Sequence, residues 1–229
     1  MKRQFNPGEL EMMDRPQPVS AELERDLENI RELNRWFGSY ALISMFLSRW
    51  IKPGARLRIL DLATGSGDIP RLIAESGRKI GAELRIDGLD RQSSTLEIAK
   101  RFSGKYPEIS FIEGNILEWN APKPYDLVLC TMALHHFGED DAVRVLQRCR
   151  EFSTKHVLVS DLHRSWFGKV GVALLTATMF REPMTKYDAR LSIARAFSFS
   201  EMNLLAQRAG WKNFRHKTFP LARQAIWLE

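Results

Sequence analysis

Short apolar strands alternate with amphipathic helices from Leu57 onwards, and this alternation constrains the fold more than any other feature. The strand-like segments are LRILDLA, LRIDGLD, ISFIEGN, YDLVLCT and HVLVSDL, and helices are predicted to begin near Ile69, Ser93, Glu139 and Ser200. Strands that are interleaved with helices form a parallel sheet that is covered on both faces. The end of the chain differs, because WKNFRHKTFP and ARQAIWLE are strand-like and have no helix between them. The sequence therefore predicts an α/β fold with a mostly parallel sheet and a closing antiparallel hairpin.

The region before the sheet has a different character. Residues 1–19 contain three prolines and no clear periodicity, so we expect them to be irregular or mobile. Ser20 can cap a helix that carries apolar residues from Leu23 to Phe37 on one face. A second, more apolar helix, ALISMFLSRW, stops before Pro53. We therefore predict an irregular segment and helical lid over residues 1–54. The α/β domain would follow over residues 55–229, with an inserted helical segment near 165–195.

Composition places this chain among ordinary globular proteins. Its 229 residues are enough for one sizeable core, and its two cysteines favour a reducing compartment without disulfides. The N-terminus lacks an apolar signal core, and the longest apolar stretch, VGVALLTATMF, is too short to span a bilayer. We expect a soluble cytoplasmic protein without a transmembrane segment, either a monomer or a homodimer. The net charge of +6 would suit an anionic partner such as RNA, but scattered basic residues do not specify one.

Polar residues follow every predicted parallel strand. Ligands of open α/β sheets bind beyond the carboxyl ends of the strands, near the point where the strand order reverses. A sheet that serves only as a scaffold has no reason to collect acids and histidines at that edge. We therefore expect the ligand site there. The row comprises Asp61 to Gly67, Asp90, Asn115, Thr131 to His136 and Asp161 to Arg164.

A turn with two glycines, ATGSG, joins the first strand to the first helix of the sheet. Such a turn lets the backbone approach a ligand closely, and Asp90 follows at the distance of a ribose-binding acid, about twenty residues on. A nicotinamide dinucleotide needs a third glycine so that its pyrophosphate can sit on the helix. Pro70 occupies that position, and Asp68 would face the phosphates. A cationic sulfonium with an amino-acid tail would tolerate these acids.

These segments together resemble the motifs of class I S-adenosylmethionine-dependent methyltransferases. LDLATGSGD resembles their first motif, GLDRQSSTLEIAK the second, FIEGNI the adenine-contacting segment and YDLVLCTMALHHF the fourth motif. FSFSEMNLLAQRAGW resembles the last helix before their hairpin. With alanine at position 63, the first motif is similar to that of the ubiquinone/menaquinone C-methyltransferases. The resemblance implies a Rossmann-like seven-stranded sheet with helices on both faces, an N-terminal helical lid, and S-adenosylmethionine as the cofactor.

The resemblance also implies a role for individual residues at the strand ends. Gly65 and Gly67 would let the backbone pass close to the cofactor, and Asp61 would orient the turn or the methionine amino group. Asp90 would hold the ribose hydroxyls, and Asn115 would lie near the adenine amino group. The implied cofactor-binding residues are Asp61, Ala63, Thr64, Gly65, Gly67, Asp90, Arg91, Asn115, Ile116 and Thr131.

The methyl acceptor is expected to be small and largely apolar. The motifs typical of nucleic-acid amino-, cytosine- and protein arginine methyltransferases are missing after the fourth strand, where the chain reads TMALHHF. Ser165–Phe180 is apolar nearly all round, which is typical either of a cavity-lining helix or of plain core packing. Trp36, Phe37 and Tyr40 would either close over the cofactor or form an aromatic seam between helices. A phenolic, quinol or polyketide-like acceptor fits best. An RNA or protein methyltransferase, or a non-catalytic S-adenosylmethionine-binding module, remains the alternative.

Three histidines at the strand ends are candidate general bases. A phenol or carbon acid reacts faster once it loses its proton, and a histidine base contributes roughly 10²–10⁴-fold. The candidates are His135, His136 and His163. Positioning supplies much of the remaining rate, because the sulfonium already activates the methyl carbon. No metal site is predicted.

Overall fold

The predicted sheet and its C-terminal hairpin are confirmed by the computed structural model, which describes residues 2–165, 171 and 182–229. Within these residues a seven-stranded sheet has the order β3-β2-β1-β4-β5-β7-β6. β1 to β5 run parallel, and β7 pairs antiparallel with both β5 and β6. The strands are β1 (Arg56–Leu62), β2 (Glu83–Asp90), β3 (Ile109–Glu113), β4 (Tyr125–Thr131), β5 (Ser153–Leu162), β6 (Arg215–Phe219) and β7 (Arg223–Leu228).

Helices cover both faces of this sheet, as predicted. On one face α5 and α7 pack against the sheet through buried residues such as Leu146 and Leu205. On the other face α2 and α3 pack against it through residues such as Phe46 and Ile73. The helices are α1 (Ala21–Trp36), α2 (Ser39–Trp50), α3 (Asp68–Lys79), α4 (Ser93–Phe102), α5 (Glu139–Phe152), α6 (Pro183–Arg195) and α7 (Phe199–Arg208).

The strand order reverses between β1 and β4, because the chain leaves β1 towards β2 and returns on its other side. The loops after neighbouring parallel strands then diverge and leave a crevice at the carboxyl edge of the sheet. The strand-end residues predicted to form one polar row therefore lie at one edge.

The two N-terminal helices pack in different places. Ser20 caps α1, since its hydroxyl accepts a hydrogen bond from the backbone N–H of Leu23 at 3.1 Å. α1 packs on α4 through Leu23 and Leu27, away from the sheet. α2 was expected in the same lid. α2 is apolar and buries Ile43 and Phe46 in the sheet's own core, so the core extends to the N-terminal side of residue 55.

Residues 2–19 are irregular, apart from a 3-10 turn at Met12–Asp14, but they are packed rather than free. The Arg3 guanidinium donates hydrogen bonds to the carbonyls of Arg195, His135 and Phe137 at 2.6, 3.1 and 2.7 Å. Glu11 is 2% exposed. The expected mobility of this segment is therefore not supported by its contacts.

Further expectations concern the cysteines, a membrane-spanning helix and the inserted helical segment. Cys130 and Cys149 are buried free thiols, as a fold without disulfides requires. In the part of the chain that the structure describes, helices are too short or too polar to cross a membrane. The apolar helix predicted for Ser165–Phe180 lies outside the described residues except at its first position and at residue 171. α6 falls within the region where an inserted helical segment is expected.

Candidate functional site

The turn between β1 and α3 has the backbone geometry that its sequence suggests. Ala63, Gly65 and Gly67 have φ angles of 55°, 54° and 71°, which lie in the left-handed region where glycine is least strained. A side chain at Gly67 would also meet the Phe111 ring, at 2.6 Å from an ideal Cβ position. The Thr64 hydroxyl donates a hydrogen bond to Asp61 Oδ2 at 2.7 Å, and this bond ties the turn to the end of β1. The first motif therefore forms a tight loop with its backbone exposed to the crevice.

Asp61 is part of this support and is fully buried. Burial raises the pKa of its carboxyl to about 8, and the nearby acids Asp68 and Asp90 act in the same direction. Its Oδ1 atom has no hydrogen-bond partner among the described residues. Of the two roles expected for Asp61, the geometry favours orienting the turn.

Asp90 ties the end of β2 to the same turn. Its Oδ2 accepts a hydrogen bond from the backbone N–H of Gly65 at 2.8 Å, and its Oδ1 accepts one from Gln92 at 3.0 Å. Burial raises the pKa of this carboxyl, although both backbone donors oppose the shift. Each carboxylate oxygen has two lone pairs, so each retains acceptor capacity towards a ligand.

A cavity of about 1140 Å³ opens above these residues. It is larger than the 300–1,000 Å³ range that is usual for small-molecule sites, so it has room for a cofactor together with an acceptor. Asp61 and Gly67 are not among the described lining residues, and they support the turn from behind. The predicted cofactor-binding residues that line the cavity are Ala63, Thr64, Gly65, Asp90, Arg91, Asn115, Ile116 and Thr131.

The opposite wall is largely apolar and comes from elements outside the sheet. The N-terminal segment, α1, α6 and the loop between β6 and β7 all contribute to it. Phe37, at the end of α1, lies in this wall as expected. The apolar lining residues are Phe5, Leu10, Met13, Leu27, Ile30, Leu33, Phe37, Ala189, Leu221 and Ala222.

Two of the three predicted histidines line the cavity on a 3-10 turn at Leu134–His136 that follows β4. His135 Nδ1 lies 2.6 Å from Asp161 Oδ1, and the His135 backbone N–H donates to Asp161 Oδ2 at 2.8 Å. His136 Nδ1 lies 2.6 Å from Asp14 Oδ2. Glu11 lies beside both rings, with Oε1 3.7 Å from Nε2 of His135 and Oε2 3.9 Å from Nε2 of His136.

Carboxylates dominate the electrostatics of this cluster. Burial disfavours a charged His136, but Glu11 and Asp14 outweigh it and raise the pKa of His136 to about 10. Burial likewise opposes ionisation of Asp161 and Asp14. Their histidine partners prevail, and the pKa values of both carboxyls are lowered. The cluster therefore holds positive charge in a buried, acidic setting.

The other residues singled out by sequence lie elsewhere. His163 is not among the described lining residues, and its backbone N–H donates to the Ala222 carbonyl at 2.8 Å. Trp36 is 65% exposed and does not close over the crevice. The Tyr40 hydroxyl and the Asn34 amide both donate to Asp68 Oδ2 at 3.1 Å. Tyr40 therefore secures the first turn of α3.

Sequence reasoning missed Glu11 and Asp14 because they lie in a segment without periodicity, more than a hundred residues from the histidines they face. The sequence offered no signal for them beyond their acidity. Asp161 was part of the predicted polar row, but its pairing with His135 could not be read from the spacing.

The central part of the chain matches a known protein family. Residues 59–155 match the family model described as a methyltransferase domain. A demethylmenaquinone methyltransferase from Thermotoga maritima is 31% identical over 136 residues, which cover 53% of this chain and 55% of that protein. A 2-phytyl-1,4-naphtoquinone methyltransferase from Thermosynechococcus vestitus is 33% identical over 81 residues, 35% of each chain. The aligned regions thus cover about a third and about half of these curated relatives.

Solved structures share the fold at lower identity. The plantazolicin methyltransferase BpumL, in complex with S-adenosylhomocysteine (SAH), has a TM-score of 0.65 and 13% identity, with 91% of this chain and 90% of that chain covered. A putative O-methyltransferase from Nostoc punctiforme has a TM-score of 0.64 and 20% identity, with 89% and 58% covered. The expected resemblance to S-adenosylmethionine-dependent methyltransferases is confirmed by these comparisons.

Proposed function

We propose that this chain, whose residues 59–155 form a methyltransferase domain, transfers a methyl group from S-adenosylmethionine to a small, largely apolar acceptor. The observation that carries the proposal is the single cavity of about 1140 Å³ with two unlike walls. One wall is the polar strand edge with the glycine turn, and the other carries apolar residues of the N-terminal segment, α1 and the loop between β6 and β7. A cofactor on the first wall would present its methyl group towards an acceptor on the second.

In this proposal the strand edge binds the cofactor. Asp90 would accept hydrogen bonds from the ribose hydroxyls through its remaining lone pairs. Asn115 and Ile116, which line the cavity after β3, would contact the adenine. Thr131, at the end of β4, would approach the methionine portion. Gly65 would let the cofactor lie directly on the backbone of the turn, since a side chain built at this cavity-lining position meets no described atom within 4 Å apart from its chain neighbours.

The apolar wall supports a phenolic, quinol or polyketide-like acceptor. Phe5, Leu10, Ile30 and Leu33 offer burial rather than hydrogen bonds, and burial of apolar surface contributes roughly 25 cal/mol per Å². The curated relatives are named for naphthoquinone and menaquinone substrates, which agrees with an aromatic acceptor. Either oxygen or carbon would receive the methyl group.

Chemistry at the acceptor would be an in-line displacement. The acceptor oxygen or carbon attacks the methyl carbon, the sulfur–carbon bond breaks, and neutral SAH leaves. The acceptor proton would pass to the histidine cluster. Asp161 holds Nδ1 of His135, which leaves Nε2 to receive that proton. His136, whose pKa is raised to about 10, already holds its proton at neutral pH and is therefore not available as the base.

A labelled-methyl assay tests the proposal. The full chain is incubated with radiolabelled S-adenosylmethionine and a panel of hydroxynaphthalenes, quinols and polyketide phenols, with bulk RNA and a protein mixture as competing acceptors. Transfer to an aromatic acceptor is expected, and mass spectrometry then locates the methyl group. Transfer only to RNA or protein would overturn the acceptor class. Cofactor binding without transfer to any acceptor would indicate a non-catalytic binding module.

A further inference from the structure

Glu11, His135 and His136 bring three potential metal ligands together in the cavity wall. One ligand atom from each side chain can be chosen so that all of them lie within 4.8 Å of one another. The two imidazoles present their Nε2 atoms to the two oxygens of Glu11, at 3.7 and 3.9 Å. These separations are too long for hydrogen bonds, so the atoms face one another without direct bonding.

Each of the three side chains is held from behind by a second polar group. Asp161 lies 2.6 Å from Nδ1 of His135, and Asp14 lies 2.6 Å from Nδ1 of His136. The Ser192 hydroxyl donates to Glu11 Oε1 at 2.8 Å. In metal sites a ligating histidine almost always donates its other ring N–H to a carboxylate, carbonyl or water, and ligating carboxylates are hydrogen-bonded in turn. The arrangement around these three side chains follows that pattern.

The charge balance of the cluster also favours one shared cation. The ring centroids of His135 and His136 are only 4.3 Å apart, and Glu11 is buried beside them. The carboxylates of Glu11, Asp14 and Asp161 surround the two rings. A divalent cation beside the Nε2 atoms would be attracted by these carboxylates.

We propose that Glu11, His135 and His136 bind one divalent transition-metal ion through the carboxylate and the two Nε2 atoms. Two imidazoles and one carboxylate suit zinc or ferrous iron, whereas magnesium prefers an all-oxygen shell. Metal–ligand bonds of about 2.0–2.2 Å place neighbouring ligand atoms roughly 3–3.5 Å apart. Since the present separations reach up to 4.8 Å, the ligand atoms would have to approach one another by up to about 1.8 Å.

The role of the ion rests on the proposed function, although its binding does not. Three protein ligands leave coordination positions open, as in catalytic metal sites. Glu11 and both histidines line the cavity, so an open position faces the space assigned to the acceptor. An acceptor oxygen bound there would be held in place and would lose its proton more readily to solvent. The ion would then replace an imidazole as the group that favours the deprotonated acceptor.

Cobalt(II) titration of the untagged, chelator-treated full chain tests the proposal. Calorimetry gives stoichiometry and affinity, and visible absorption reports imidazole-bound cobalt. We expect one Co²⁺ per chain. Glu11→Gln and His136→Ala should weaken binding by more than about 100-fold, beyond the 10–100-fold range of outer-shell changes expected for Asp14→Asn. His156→Gln is the matched control and should leave cobalt binding unchanged. His156 stacks on Trp50 near the start of β5, whereas Asp161, which holds His135, lies near the end of that strand.

Several results would overturn the metal site. If the wild-type chain lacks stoichiometric Co²⁺ binding, or if Glu11→Gln binds as tightly as wild type, the cluster is an ion-pair network. If a melting experiment shows that His136→Ala does not fold, Glu11→Gln still tests the metal site. Glutamine has the same shape as glutamate, and its side-chain oxygen can still accept the hydrogen bond from Ser192. SAH titration of the same samples separates the two proposals. If the chain binds SAH but not Co²⁺, only the proposed metal site is wrong. If it binds Co²⁺ but not SAH, only the proposed function is wrong.

Discussion

Gly65 and Gly67 have the same left-handed backbone conformation but different surroundings. An added Cβ at Gly67 would lie 2.6 Å from the Phe111 ring, whereas at Gly65 it would meet no atom of the described residues within 4 Å apart from its chain neighbours. Left-handed strain costs about 1–2 kcal/mol at either position, and overpacking adds about 1–3 kcal/mol at Gly67.

Gly67→Ala should therefore lose more stability than Gly65→Ala in urea unfolding. Gly65→Ala should instead lose SAH affinity in calorimetry, because its methyl group would point into the cavity. Equal stability losses, with SAH affinity kept by Gly65→Ala, would contradict this division.

Asp90 combines a structural and a proposed ligand-binding role at one carboxylate. It accepts backbone hydrogen bonds from Gly65 and Gln92, and its remaining lone pairs face the cavity. Charge-assisted hydrogen bonds to ribose contribute roughly 1.5–3 kcal/mol, so Asp90→Ala should weaken SAH binding by at least about tenfold. Glu83→Ala, an exposed change at the far end of β2, is the control and should leave affinity unchanged. A folded Asp90→Ala variant with wild-type affinity would restrict Asp90 to its structural role.

At the scale of elements, α1 and α6 meet at a buried carboxyl group. Asp26 accepts a hydrogen bond from the Thr185 hydroxyl at 2.5 Å, and its other oxygen has no partner among the described residues. Burial raises the pKa of Asp26 to about 6. The unfolded chain ionises this group near pH 4. Its contribution to stability is therefore fully present below about pH 4 and is lost as the pH rises to about 6.

Asp26→Asn removes this pH dependence. At pH 7.5 the variant should be more stable than wild type by on the order of 1–3 kcal/mol, and the difference should shrink towards pH 4. Urea unfolding at both pH values measures it. Glu28→Gln changes an exposed acid of the same helix and should show no such dependence. A variant less stable than wild type at pH 7.5 would mean that the ionised carboxylate has a stabilising partner in the fold.

The elements that sequence predicted best are those specified by local patterns. The bounds of β4 match the predicted segment, and Ser20 caps α1 as expected, because strand burial and capping depend on neighbouring residues. The packing of α2 in the core of the sheet could not be predicted, since an apolar helix can cover a sheet or a ligand equally well. Glu11 and Asp14 were missed because only tertiary packing brings them to the histidines. Local patterns thus predicted the polar edge of the sheet, and long-range packing determines the opposite wall of the cavity.

At the scale of the whole molecule, the net charge of +6 is spread rather than concentrated. Surface arginines are paired with acids on several elements, as in Arg56 with Glu83, Arg78 with Glu108 and Arg101 with Glu24. Exposed pairs of this kind contribute about 0–1 kcal/mol each, so they matter little for stability. They do neutralise basic surface that would otherwise attract a polyanion. This distribution is consistent with a small acceptor rather than RNA.

The balance of charge inside the cavity predicts which nucleotide-like ligands the molecule binds. Asp68 occupies the first turn of α3, where the helix N-terminus would otherwise attract a phosphate, and Asn34 and Tyr40 hold its carboxylate there. Asp90, Glu11 and Asp14 add further acids to the lining. A pyrophosphate would be repelled by this lining, whereas the sulfonium of S-adenosylmethionine would be attracted.

Thermal melting of the full chain should distinguish these ligands. A ligand at 100 times its dissociation constant stabilises the folded state by about 2.7 kcal/mol, which corresponds to a rise in Tm of roughly 5–10 °C for a chain of this size. S-adenosylmethionine and SAH should both raise Tm, and NAD at the same concentration should not. SAH lacks the sulfonium charge, so the difference between the two cofactor forms reports how strongly the acidic lining contributes. Stabilisation by NAD equal to that by SAH would show that Asp68 does not exclude a pyrophosphate, and the electrostatic account of the cavity would then be wrong.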